Sequence, residues 1–135
     1  MPAVCSVDLV PGECDALVVV ALRGELDVAE AVRVLAELSV VTAYKRDIIV
    51  DLTDLGFIDS SGLAALARVR KRARHAGGDL LLAAPQQQVR RLLTLTRLID
   101  VFSVHASVDE AARCAGPPGR PATWTAPLAG RSGQP

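Results

Sequence analysis

Asp51-Leu52-Thr53-Asp54-Leu55-Gly56-Phe57-Ile58-Asp59-Ser60-Ser61-Gly62-Leu63 joins an apolar run to a helical one. It reads as the exit of a buried strand, a short turn, and the opening of a helix. The polar group Asp59-Ser60-Ser61-Gly62 falls on the join between turn and helix. A helix start has about four backbone N–H groups without intrahelical partners and a partial positive charge. It therefore accommodates anions, phosphate included. Two readings follow. Asp and Ser are preferred N-cap residues, so capping explains the group. Alternatively, a serine here is a modification site or a nucleophile.

On the upstream side, Ile48-Ile49-Val50 is a buried strand ending at Asp51. Before it, Val4 to Val10 alternates loosely as an edge strand, and Pro11-Gly12 marks a turn. Leu17 to Leu22 is a β-branched apolar run expected to be buried on both faces. Gly24-Glu25-Leu26-Asp27 leads from it into a helix. Asp27 can cap that helix, with Glu30 in capping-box spacing. Ala31, Leu35, Leu38 and Thr42 form its inner stripe.

Downstream, a helix runs from the serine pair to about Ala76, with Leu63, Leu66, Val69 and Ala73 inward. Arg68, Lys71, Arg72 and His75 form its basic outer stripe, which reads as a solvated face. Gly77-Gly78 stops it. Leu80 to Ala84 is a third buried strand, and Gln86 to Thr96 a helix. Val101 to Val104 is a short strand. Ser107 with Glu110 is a second capping box opening a last helix to about Ala115. Strands alternating with helices imply an α/β domain, residues 1–115, with a largely parallel sheet of four to five strands and about four helices. Sites in such sheets gather at the carboxyl ends of strands. Gly24-Glu25-Leu26-Asp27 and Asp59-Ser60-Ser61-Gly62 both lie past strand ends and should share one rim.

From Gly116 to Pro135 the chain holds five of the eight prolines and four of the ten glycines, and no acidic residue. This is expected to be a flexible tail, with Trp124 its one aromatic residue.

The 135 residues suit one domain, and 50% apolar content allows folding without metal or disulfide. Fifteen basic and fifteen acidic residues balance, against the basic excess usual in direct nucleic-acid binders. Cys5, Cys14 and Cys114 match no zinc or disulfide pattern. No signal peptide and no membrane span are expected, which points to a soluble cytoplasmic protein.

The chemistry open to these residues is narrow. A serine hydrolase needs a base beside its serine. His75 is on the same helix as Ser60, about 20 Å along it, and His105 is not excluded by sequence. No G-x-S-x-G elbow surrounds either serine. Asp27 and Asp59 could approach each other to hold a metal or act as acid and base, but carboxylates at helix starts are usually caps. The glycines form no phosphate-loop or dinucleotide pattern. No metal and no cofactor are expected. A redox switch through Cys5 and Cys14 is the weakest option. Phosphorylation fits better. Phosphate on Ser60 adds about −1.5 to −2 charges where the fold tolerates them but a docked surface would not. Gly62 would keep the approach open for an incoming γ-phosphate.

Three segments then resemble one family. Gly24-Glu25-Leu26-Asp27, Ile49-Val50-Asp51-Leu52 and Phe57-Ile58-Asp59-Ser60-Ser61-Gly62-Leu63 are similar to the STAS domain of bacterial anti-sigma factor antagonists. The similarity continues through Val89 to Leu93, Leu98 to Phe102 and Val108 to Ala111, and covers roughly residues 4 to 115. It implies a non-enzymatic module that binds an anti-sigma factor that is also an ATP-binding serine kinase, frees a sigma factor, and is reset by a phosphatase. The phosphorylated serine maps onto Ser60 rather than Ser61, and the acidic residue after the second strand onto Asp27. Glu25, Asp59, Ser61 and Gly62 complete the expected partner-binding rim. The alternatives are a non-phosphorylated STAS scaffold in a stress-signalling assembly and a small serine hydrolase. One departure stands out: Arg97 occupies a turn where the family commonly has glycine.

Overall fold

A ten-residue strand, Leu17–Leu26 (β2), is the axis of the sheet. In this computed structural model, which describes residues 5–11, 17–43 and 47–114, it pairs with three other strands. Cys5–Pro11 (β1) runs antiparallel along one side. Asp47–Asp51 (β3) runs parallel to its first half, from Leu17↔Asp47 to Ala21↔Asp51. Leu55–Ile58 (β4) runs parallel to its last residues. Beyond β3 the sheet continues with Asp79–Ala83 (β5) and Ser103–His105 (β6), both parallel. Parallel neighbours require crossovers, which helices supply here. They are Val28–Thr42 (α1), Ser60–His75 (α2) and Gln87–Leu95 (α3), while Val108–Cys114 (α4) follows the last strand. A 3-10 turn at Leu98–Asp100 precedes β6.

Alternation along the strands decides which side each helix covers. Val18, Val20, Ile48, Val50, Leu80 and Leu82 point to one face. There they pack on Val34 and Leu38 of α1, Leu63, Leu66 and Val69 of α2, and Val89 and Leu93 of α3. Leu17, Ile49, Leu81 and Ala83 point to the other face and meet Ala111 and Ala112 of α4. The mixed α/β expectation stands.

Three expectations are corrected. The segment after β3 is not simply a turn, because Leu55–Ile58 forms a strand. It escapes a periodicity reading since Leu55 and Ile58 are buried while Gly56 and Phe57 between them are exposed. The strand read as Leu17 to Leu22 continues to Leu26. Its extension, Arg23-Gly24-Glu25, carries no apolar signal. A register shift between Gly24 and Glu25 aligns it with β4. Gly24 sits at φ 96, where a side chain is disfavoured, and donates to the Asp54 carbonyl at 3.1 Å. The second face of β2 is also less covered than expected. Val19 and Ala21 are half-buried because α4 lies over β3, β5 and β6. The tail from Gly116, Trp124 included, lies outside the described residues.

Arg97 is left-handed, with φ 64 and ψ 10. That conformation costs an L-residue about 1–2 kcal/mol, and glycine nothing comparable. Arg97→Gly is therefore expected to stabilise the domain by about 0.5–1 kcal/mol, after discounting glycine's greater freedom when unfolded. Urea denaturation should show a higher midpoint at unchanged slope. A lower midpoint would mean that contacts of the Arg97 side chain outweigh the backbone strain.

Candidate functional site: the rim carrying Asp27 and Ser60

Leu26 and Ile58 are register partners at the ends of β2 and β4. The next residues, Asp27 and Asp59, are therefore neighbours by position, and two helices begin side by side. Their backbones match closely: φ −115 and ψ −171 at Asp27, φ −114 and ψ −174 at Asp59. Each is an N-cap. Asp27 Oδ1 accepts from the N–H of Ala29 at 3.0 Å and of Glu30 at 3.3 Å. Asp59 Oδ1 accepts from the N–H of Gly62 at 3.0 Å. The Asp59 N–H also donates to the Leu26 carbonyl at 3.2 Å, tying the second start to the first strand.

The capping boxes are only half as expected. Glu30 does not reach back to its cap, because its carboxylate is held by Arg33 at 2.8 and 3.0 Å. Glu30 and then Glu37 raise the pKa of that guanidinium by stabilising its charge. At α4, Ser107 Oγ accepts from Glu110 N–H at 3.1 Å, while Glu110 Oε1 accepts from Ala106 N–H at 3.2 Å.

Gly62 has a different role from the one expected. It is buried, and a Cβ placed there would lie 2.6 Å from the Leu26 carbonyl oxygen and 2.8 Å from Leu26 Cγ and Ile58 Cγ1. It faces the strand ends, not an incoming group. Its missing side chain lets the first turn of α2 press onto β2 and β4. That contact fixes Ser60 as the first helical residue, exposed on the rim, with Ser61 half-buried beside it. Among the described residues none hydrogen-bonds the Ser60 hydroxyl.

Apolar surface flanks the serines. Ser61 lines a groove of about 260 Å³ between α1 and α2, with Val28, Ala31, Val32, Leu35, Ala64, Ala65 and Arg68. Phe57 and Ile58 line a second recess of about 210 Å³ against Gln88, Arg91, Leu92 and Leu95 of α3. Val28, Val32, Phe57 and Leu95 are 68%, 75%, 45% and 74% exposed, high enough for a partner to cover them. Of the four, only Phe57 stands in a sequence motif. The signal was available, since Val28 and Val32 lie four apart on the outer side of α1. Two glutamines hold the recess in place: Gln88 donates to the Gly56 carbonyl at 2.7 Å and Gln86 to that of Thr53 at 2.8 Å. Glu25, exposed and in register with Phe57, adds a carboxylate to the rim.

Neither histidine serves Ser60. His105 Nε2 lies 2.7 Å from Ser103 Oγ, and its Nδ1 lies 3.5 Å from Glu110 Oε1, bracing β6 to α4. His75 ends α2, 15 positions from Ser60 and about 22 Å along the axis. The hydrolase reading thus has no histidine base at the serine pair. Among the described residues no three His, Cys, Asp or Glu side chains converge as a metal site would need. Cys5 lies in β1, Cys114 is an exposed thiol at the end of α4, and Cys14 is outside the described residues.

Twin strand ends, each opening a capped helix, with an exposed serine on the second, set this rim beside known proteins. The STAS domain model matches residues 10–111. The chain belongs to the STAS domain family. Among curated STAS relatives, the anti-sigma-B factor antagonist of Bacillus subtilis is 30% identical over 104 residues, covering 77% of this chain and 94% of the relative. Among solved structures, the anti-sigma factor antagonist SpoIIAA in its unphosphorylated form superposes with a TM-score of 0.68 at 25% identity, over 78% of this chain and 92% of that one. An anti-sigma factor antagonist from Mycobacterium paratuberculosis gives 0.67 at 25% identity, over 78% and 91%. The STAS fold also recurs in the murine Slc26a9 anion transporter, at 15% identity and over 21% of that chain, a likeness of fold alone. Among the described residues here, no helix is long and apolar enough to cross a membrane.

Proposed function

We propose that this STAS domain is an anti-sigma factor antagonist switched by phosphorylation of Ser60. Unphosphorylated, its rim docks on an anti-sigma factor that is also a serine kinase, which releases a sigma factor for transcription. The kinase then moves the γ-phosphoryl group of ATP onto Ser60 Oγ, the serine proton leaves to a kinase base, and ADP departs. A phosphatase restores the hydroxyl. The observation that carries this reading is the exposed Ser60 hydroxyl at the first position of α2, beside two apolar recesses.

The physics of the switch is asymmetric. The start of α2 tolerates phosphate because its backbone N–H groups and dipole favour an anion. A docked partner does not, because the dianion must be desolvated beside Asp27, Asp59 and Glu25. Phosphorylation therefore changes binding and leaves folding intact. Asp27 contributes by charge: it orients the serine or contacts the kinase.

The test treats wild type, Ser60→Ala and Asp27→Asn with the cognate kinase and ATP, and maps phosphate by mass spectrometry. Phosphate is expected on Ser60 in wild type and nowhere in Ser60→Ala, which should still bind. Asn caps a helix about as well as Asp, so Asp27→Asn should cost stability no more than the ~0.3–1 kcal/mol of the lost dipole interaction, while its affinity or phosphorylation rate falls about tenfold, the worth of one charged hydrogen bond. Phosphate on Ser61 with Ser60 unmodified would sink the assignment. A wild type that binds and never becomes phosphorylated would instead indicate a constitutive scaffold.

A further inference from the structure

Helix α2 carries Arg68, Arg70, Lys71, Arg72 and Arg74 and no acidic residue. Its dipole explains basic residues in the last turn, here Arg72, Arg74 and His75. It does not explain Arg68, Arg70 and Lys71, which precede that turn. Arg70 Nε and Arg74 Nη1 lie 3.6 and 3.3 Å from the two carboxylate oxygens of Asp79. One carboxylate thus serves two guanidiniums, and it also accepts from the Leu80 N–H at 2.8 Å. No described carboxylate pairs with Lys71. Ala67, Arg70, Lys71, Arg74 and His75 line an open groove of about 480 Å³. Their spacing places them on one helical face about 12 Å long.

We propose that this groove docks an acidic segment of a protein partner, and does so whether or not Ser60 is phosphorylated. Arg70 and Arg74 are pre-positioned by Asp79, so little side-chain freedom is lost when a second carboxylate arrives. Two or three carboxylates at helical spacing on the partner match the length of the face. The chain as a whole is neutral, so everything outside α2 carries a net negative charge. A nucleic acid running past the groove would meet repulsion, and α2 offers no aromatic side chain on which a base could stack. A membrane would find no apolar residue larger than Ala67 in the groove to insert. The chain's own tail has Arg120 and Arg131 and no acidic residue, so it is not complementary. The groove begins about two turns from Ser60, which separates this contact from the switch.

The experiment measures binding of a labelled poly-glutamate peptide, with a short single-stranded RNA and phosphatidylserine vesicles as separate arms. Lys71→Glu/His75→Glu reverses or adds charge at two exposed groove positions and leaves the Arg–Asp79 pairs in place. Poly-glutamate should bind wild type in a salt-dependent way and bind the double variant at least about tenfold more weakly. Ser60→Asp should bind it like wild type. A milder variant, Lys71→Gln, should fall between and guards against misfolding. Equal binding by wild type and both variants overturns the proposal, as does no binding at low salt. Tighter binding of RNA or vesicles than of poly-glutamate overturns it in favour of those partners. A dependence on Ser60→Asp would overturn the independence of groove and switch. None of these outcomes bears on where phosphate is added.

Discussion

Replacing Gly62 with alanine is expected to destabilise the domain by about 3 kcal/mol, the upper end of overpacking costs in a closely packed core. The expectation rests on one geometry. The new Cβ would stand 2.6 Å from the Leu26 carbonyl oxygen, and that neighbour is backbone. It cannot rotate away as a side-chain tip would. Either α2 lifts from the ends of β2 and β4, or Leu26 is pushed out of register with Ile58. Both moves loosen the contacts of Leu63 and Leu66, which are 1% and 0% exposed. The sign opposes helix propensity, which favours Ala over Gly by about 1 kcal/mol. Gly56→Ala is the internal control. Its Cβ would lie 3.8 Å from the Gly24 carbonyl oxygen, an ordinary contact at an exposed strand position. That change should stay within about 0.5 kcal/mol. Urea denaturation of both variants decides the matter. Equal effects would show that the rim yields and that Gly62 does not hold α2 in place.

Gly62 also marks where sequence reading stops. A glycine beside two serines looks like an open approach to them, and only the packing of Leu26 and Ile58 reveals a closed one. Strands β3 and β5 are legible because they are buried on both faces and read as unbroken apolar runs, Ile48-Ile49-Val50 and Leu80-Leu81-Leu82. β4 is not, since its four residues bury only the first and last. The end of β2 is hidden in Arg23-Gly24-Glu25, whose pairing partner lies some 30 residues on. Local signals served better at helix starts. Asp27, Asp59 and Ser107 all cap as their residue types predict. The second half of each capping box failed for a competing reason, a nearby guanidinium for Glu30 and the N–H of Ala106 for Glu110. The shared rim followed from the fold class alone. Its apolar flanks are half legible: Val28 and Val32 lie four apart outside the inner stripe of α1, but only the packing of α1 on α2 shows that they border a groove.

Ser60→Asp is expected to weaken binding to the anti-sigma partner by about 100-fold, equivalent to about 2.7 kcal/mol. Burying a carboxylate against a protein surface without a matched partner costs several kcal/mol, part of which solvent at the rim relieves. The fold should not register the change. Position 60 is the first residue of α2, where a carboxylate meets the positive end of the helix dipole and gains about 0.3–1 kcal/mol. Stability should therefore stay level or rise slightly while affinity falls, a combination that misfolding does not produce. Ser60→Asn separates charge from bulk, because it adds nearly the same volume and no charge. If charge governs the switch, Ser60→Asn should lose less than about tenfold, well short of the aspartate. Calorimetric titration of wild type and both variants against the cognate kinase, with denaturation run in parallel, gives each number. An aspartate variant binding within about threefold of wild type would show that a single negative charge at this rim does not oppose docking. A loss shared equally by Asn and Asp would replace the electrostatic switch with a steric one, in which phosphate acts by its size.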